Sequence, residues 1–149
     1  MSDTHLTQAE ADALLEMEKR RANEDASDYP ALGGRLTVSL VSLDRREDFL
    51  LDIGRGKISL SKVTYQHRAR TVVILVRLDM NGARHCNPDG EELDTPHLHL
   101  FREGYGDKWA IAARLEAFPN LQDIWAALQD FMRYCHVVEP PHIRKGLFV

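Results

Sequence analysis

Only two cysteines, Cys86 and Cys135, occur in 149 residues, and they stand far apart with no Cys-x-x-Cys pair. That excludes a disulfide-dense scaffold and the common structural zinc spacings, and predicts reduced thiols. No run approaches about 18 consecutive apolar residues, so no membrane-spanning helix is expected. The opening MSDTHLTQAEAD lacks the basic and apolar regions of a secretory leader, and a soluble cytoplasmic protein is the expectation. Internal repeats and low-complexity tracts are absent too. With a net charge of −4 the chain has little excess of either sign, which disfavours tight nucleic-acid binding by bulk charge alone.

What is present fits one globular domain of ordinary size, with a hydrophobic fraction of 44% and a charged fraction of 28%. The near-neutral total hides a basic middle. Residues 1–32 carry a charge of −5, residues 33–86 carry +5 and the remainder −4. Such a middle either faces phosphate or is neutralised by acidic elements packed beside it.

Thr7 followed by Glu10 has the form of a capping box, with Leu6 and Ala11 as its staple, and starts a helix whose apolar stripe is narrow. The helix is expected to end near Asn23 to Ser27, within a helical N-terminal segment of residues 1–27. From Arg35 the period falls to about two, with Leu36, Val38 and Leu40 on one face. Further strands are expected at Phe49 to Ile53, Ile58 to Tyr65, and Thr71 to Val76, the most apolar run, which belongs mid-sheet. Asn81-Gly82 and Asn87-Pro88-Asp89-Gly90 are turn signals. Leu121, Ile124, Trp125, Leu128, Phe131, Met132 and Cys135 recur at helical steps. The expected fold class is α+β: an N-terminal helix, a central antiparallel sheet of about five strands over residues 35–111, a C-terminal amphipathic helix over 120–136 on one sheet face, and a tail over 139–149.

The stretch TPHLHLFREGYGDKW, residues 95–109, concentrates chemistry-bearing side chains. As a strand it points His97 and His99 to one face, with Phe101, and Leu98 and Leu100 to the other. Imidazoles two residues apart, about 6.5 to 7 Å along a strand, can share one metal ion if a third ligand arrives. His67, His85, Asp79 and Glu103 are candidates for it, none marked by spacing, so no metal and no cofactor is assigned. The His-x-His pattern resembles that of the histidine-triad nucleotide hydrolases, but Phe101 stands where their nucleophilic third histidine would be.

Without metal, His97 and His99 could act as general base and acid on RNA, with Arg102 and Glu103 completing a catalytic set. Arg68, Arg70 and Lys108 would then bind phosphate while Tyr105 and Trp109 stack bases. The structural alternative has His99 bonding a neighbouring strand, Arg102 pairing with a carboxylate, and Tyr105, Lys108 and Trp109 closing a loop around Gly104 and Gly106.

The block from NPDG to PHLHLFREGYGDKWA, preceded by LTQAEADALLEMEKRRA and followed by NLQDIWAALQDFMRYC, resembles a family of small uncharacterised bacterial proteins carried on phages, plasmids and integrative elements. The resemblance carries no reaction. It implies a setting of conflict between mobile element and host, where small accessory proteins act as toxins, antitoxins or inhibitors of defence. The expected function is therefore a non-enzymatic, anti-CRISPR-like inhibitor that binds a host protein or ribonucleoprotein complex, and the alternative is a metal-independent endoribonuclease toxin using His97 and His99. RNA is a second expected partner, a membrane is not one, and the narrow stripe of the first helix leaves room for a homodimer.

Overall fold

The computed structural model describes residues 5–146. Helix α1 (Gln8–Glu16) begins at a complete capping box, in which the Thr7 hydroxyl accepts from the Glu10 amide and the Glu10 carboxylate accepts from the Thr7 amide, both at 3.1 Å. It ends at Glu16, well short of the expected Asn23 to Ser27. The cause is Lys19. Its charged neighbours suggest a solvated helix face, yet it is fully buried, and its ammonium donates to Leu15 O at 2.7 Å and Cys135 O at 2.9 Å. The chain turns inward there and becomes strand β1 (Lys19–Arg21), followed by β2 (Ala26–Asp28).

Strands β3 (Arg35–Ser42), β4 (Asp48–Arg55), β5 (Val63–Ala69) and β6 (Val73–Met80) form an antiparallel meander on the alternating pattern. The hairpin β7 (His85–Cys86) and β8 (Glu92–Leu93) encloses the Asn-Pro-Asp-Gly turn, where Gly90 adopts φ 91°. It is fastened to strand β10 (Ala110–Ala112) by Asn87, whose amide side chain both donates to Ala110 O and accepts from Ala110 N. Strand β9 (His97–Leu100) lies between β6 and β10. Helix α2 (Ile124–Tyr134) starts at Asp123, whose carboxylate accepts from the amides of Trp125 and Ala126. Strands β11 (Val137–Glu139) and β12 (His142–Arg144) follow, the latter within the segment expected to be a tail.

The main sheet has eight strands in the order β10-β9-β6-β5-β4-β3-β1-β11, and β12-β2 and β7-β8 form two small sheets. The β1–β11 and β12–β2 pairs are parallel. This corrects the expected five-stranded antiparallel α+β fold: the protein is mostly β with a mixed sheet and, among the described residues, only two helices. The added strands are two or three residues long, too short to show a period, and the β1–β11 and β12–β2 pairs join the two ends of the chain.

Both helices cover one sheet face. Leu14 of α1 and Leu128 and Phe131 of α2 are buried with Phe49, Leu51, Tyr65, Leu75 and Leu98 of the sheet, each large side chain contributing about 1.5–3 kcal/mol by burial. The Tyr65 hydroxyl donates to Ile124 O at 2.5 Å and lies 2.6 Å from the Tyr29 hydroxyl. His67 is also here. It stacks on Phe49 with ring centroids 5.2 Å apart, and neither ring nitrogen has a hydrogen-bond partner. Burial, helped by the nearby charge of Lys19, pushes its pKa down to about 3.

Candidate metal centre

The strand register sets two transverse rows of side chains on the sheet face that neither helix covers. One row runs Arg35, Gly54, Thr64, Asp79, His97 from β3 to β9. The second runs Thr37, Asp52, Gln66, Arg77, His99. Polar groups in such rows meet across strands about 4.8 Å apart, so a residue far away in sequence becomes a direct neighbour.

His97 and His99 converge on one carboxylate oxygen. His97 Nε2 lies 3.0 Å and His99 Nε2 3.1 Å from Asp79 Oδ2, and both rings are 1% exposed. The other nitrogen of each faces a backbone carbonyl: His97 Nδ1 is 3.2 Å from Asp94 O, and His99 Nδ1 is 2.8 Å from Asp107 O. A metal-binding tautomer keeps the proton on Nδ1 against the carbonyl and turns both Nε2 lone pairs toward Asp79, whereas without an ion Nε2–H donation to Asp79 is the competing tautomer. Arg77 Nη2, which can only donate, lies 3.0 Å from His99 Nε2 and satisfies it. Nothing does so for His97. A neutral imidazole has a single N–H, yet both nitrogens of His97 face oxygen acceptors, so the contact needs a second proton or a cation between Nε2 and the carboxylate.

The donor set suits a cation. Asp79, His97 and His99 each offer one donor atom within 4.8 Å of the others. Donors held about 2.1 Å from one ion at octahedral to tetrahedral angles stand about 3.0 to 3.4 Å apart, which brackets the separations from Asp79, while the full set spans up to 4.8 Å, so the two imidazoles must draw together to share one ion. Backbone carbonyls on the far nitrogens are the outer partners that orient metal-binding imidazoles. Burial opposes ionisation of Asp79, but contact with His99, the charge of Arg77 and the Thr64 hydroxyl outweigh it and hold the carboxyl well below the usual range. Arg77 pairs with Asp79 through Nε, 3.3 Å from Oδ1, and has a second anchor, with Nη1 3.0 Å from Asp107 Oδ2, so its guanidinium can leave His99 and keep the Asp107 pair. His85 lies over both rings, its centroid 4.5 Å from that of His99 and 5.7 Å from that of His97, and its Nε2 is engaged at 2.8 Å with Lys108 O.

Of the four candidates for a third ligand, the structure brings only Asp79 into the convergent set. His67 is in the core on the opposite face. Glu103 accepts from the Gln8 amide at 2.7 Å at the start of α1. Arg102 is not near the histidines either: β9 ends at Leu100, Phe101 turns to pack against the core, and the Arg102 guanidinium lies 4.0 Å over the Trp109 ring. Tyr105 meets Trp109 edge-on, so the aromatic pair closes its own loop. Lys108 is exposed and offers its carbonyl to His85. Arg68 is on the open face but forks onto Asp52 at 2.6 and 2.8 Å, and Arg70 pairs with Glu47 at 3.7 Å near the hairpin turn. Sequence reasoning left out Arg77, whose alternation with Asp79 on β6 was the available signal.

Residues 6–137 match a family described as a family of unknown function, DUF6978. The chain belongs to that family. No curated protein and no solved structure matches it. Among the described residues of this DUF6978 member, no helix is long and apolar enough to cross a membrane.

Proposed function

We propose that this DUF6978 protein is metal-dependent, holding a divalent transition ion of the zinc class at Asp79, His97 and His99 on the open face of its sheet. The observation that carries the reading is the convergence of two Nε2 atoms on one carboxylate oxygen while both Nδ1 atoms face backbone carbonyls. Two nitrogens and one carboxylate make the three-ligand set that leaves a coordination position for a substrate, as catalytic rather than structural sites do. Bound there, the ion supplies Lewis acidity for hydrolytic chemistry. Asp79 lines a groove along the open face, which provides access from that side.

The burial of His97 and His99, with their nitrogens engaged, counts against metal-independent RNA cleavage, because a general base and acid must reach the substrate's 2′-oxygen and leaving oxygen. We place the protein in the proposed setting of mobile element and host. An inhibitor of a host nucleoprotein complex, the non-enzymatic alternative, would use the open face as a contact surface and would not need an ion.

Thermal unfolding with and without Zn²⁺ or Co²⁺ separates these readings. At 100 times its Kd, an ion stabilises the fold by about 2.7 kcal/mol, which raises Tm by about 5–10 °C in a domain of this size. His97→Ala and Asp79→Asn abolish that shift if the reading holds. An unchanged wild-type Tm across both metals removes the metal reading and leaves the contact-surface one.

A further inference from the structure

The groove that reaches Asp79 carries charge the metal reading does not use. It encloses about 660 Å³, and its floor crosses β4, β5 and β6 beside Asp52, Gly54, Thr64 and Asp79. Both floor carboxylates are already engaged. Asp52 accepts from Arg68, Thr37 and Gln66, and Asp79 contacts the two histidines, Arg77 and Thr64. The walls hold the exposed cations Arg35, Lys57 and Lys62, and among the described residues none of these three makes an ion pair.

Arg55 does not join them: it alternates with Phe49, Leu51 and Ile53, and its guanidinium turns to the helix-covered face, 5.4 Å over the Tyr29 ring, where it donates to Pro30 O at 3.3 Å and Leu60 O at 2.9 Å.

The backbone also makes room. Gly54 lies on the open face in line with Arg35 and Thr64, and a Cβ built there meets no atom within 4 Å. The aliphatic stems of Lys57 and Lys62 lie against the bare backbone of Gly33 and Gly56, with Lys57 Cγ 3.2 Å and Lys62 Cδ 3.0 Å from where a Cβ would be. Glycine at 33 and 56 thus lets both lysines lie along the groove wall.

We propose that this groove binds the phosphate of a phosphate ester, seated over Gly54 among Arg35, Lys57 and Lys62. Three cations with no carboxylate partner match a dianionic oxyanion, and no aromatic side chain lines the groove to stack a base. Gly54 stands two strand spacings, about 10 Å, from Asp79, so this phosphate anchors the molecule while another part of it reaches Asp79. The site requires no metal, and it stands or falls independently of the proposed ion.

Isothermal titration of the full chain in EDTA with sodium phosphate, adenosine 5′-monophosphate and single-stranded hexauridylate tests it, against matched chloride. At least one probe binds saturably, and binding weakens tenfold or more in Gly54→Leu, which fills the open space, and in Lys57→Ala/Lys62→Ala. His97→Ala binds within twofold of wild type. Binding of phosphate or the mononucleotide identifies a small ester, and binding of hexauridylate alone identifies a nucleic-acid backbone. No saturable binding by any probe, or equal binding by a Gly54→Leu variant with wild-type circular dichroism, overturns the proposal.

Discussion

Replacing His67 by leucine should make the protein resist acid. His67 sits in the core against Phe49 with no partner on either nitrogen, and burial lowers its pKa from 6.5 to about 3. Between those values the unfolded chain binds a proton that the folded chain refuses, so stability is complete above pH 6.5 and is lost as pH falls towards 3. Each pH unit costs about 1.36 kcal/mol, hence about 2 kcal/mol at pH 5 and about 4–5 kcal/mol near pH 3. A domain with roughly 5–15 kcal/mol to lose is then close to unfolding. Leucine keeps an apolar side chain in the same space and has nothing to titrate. Urea midpoints for both proteins from pH 7 to pH 4 in EDTA isolate the residue, because all other groups titrate alike. The gap between them should shift by about 2 kcal/mol in favour of His67→Leu from pH 7 to pH 5. Parallel curves would falsify the claim that His67 is folded as a neutral, unpartnered base.

Other consequences follow from the same physics. Burial lowers the pKa of Lys19 from 10.5 to about 8, so the unfolded state holds the extra proton between those values and the contribution of Lys19 to stability rises with pH across that window, opposed by buried Cys135, whose thiol is pushed up to about 12; a urea-midpoint gap between wild type and Lys19→Met that stays constant from pH 8 to 10 contradicts this. Lys19→Met leaves Cys135 O without its donor, while Leu15 O keeps His136 Nδ1 at 3.0 Å, a loss of about 1–3 kcal/mol at pH 7 in urea unfolding, the cost of one orphaned buried group. Thr7→Ala removes half of the capping box of α1 and should cost about 1 kcal/mol in the same assay. Arg77→Met removes a cation 3.0 Å from His99 Nε2, so Co²⁺ should bind several-fold tighter by titration, whereas weaker binding would mean that Arg77 supports the site.

The parts of this protein legible in its sequence are those governed by neighbours along the chain. Thr7 and Glu10 mark the start of α1 because a capping box closes within one turn, and the β3 to β6 meander shows in the alternation of Leu36, Val38 and Leu40 and its successors. Lys19 defeats the reading of where α1 ends, since its burial is decided by carbonyls at Leu15 and Cys135 that close only in the folded state. The parallel β1–β11 and β12–β2 pairs leave no local trace for the same reason. His97 and His99 on one face follow from strand geometry, but the partner that gives them meaning is set by the Asp79–His97 register, a long-range property. Phe101 and Arg102 continue the alternation on paper only, because β9 stops at Leu100.

Cobalt titration followed by visible absorption tests the central claim most directly. The account predicts one Co²⁺ per chain with ligand-field bands of a low-coordinate nitrogen and oxygen site, lost in His97→Ala, His99→Ala and Asp79→Asn variants that keep the wild-type fold. Spectra of wild type and the folded His97→Ala variant that coincide at every cobalt concentration contradict it.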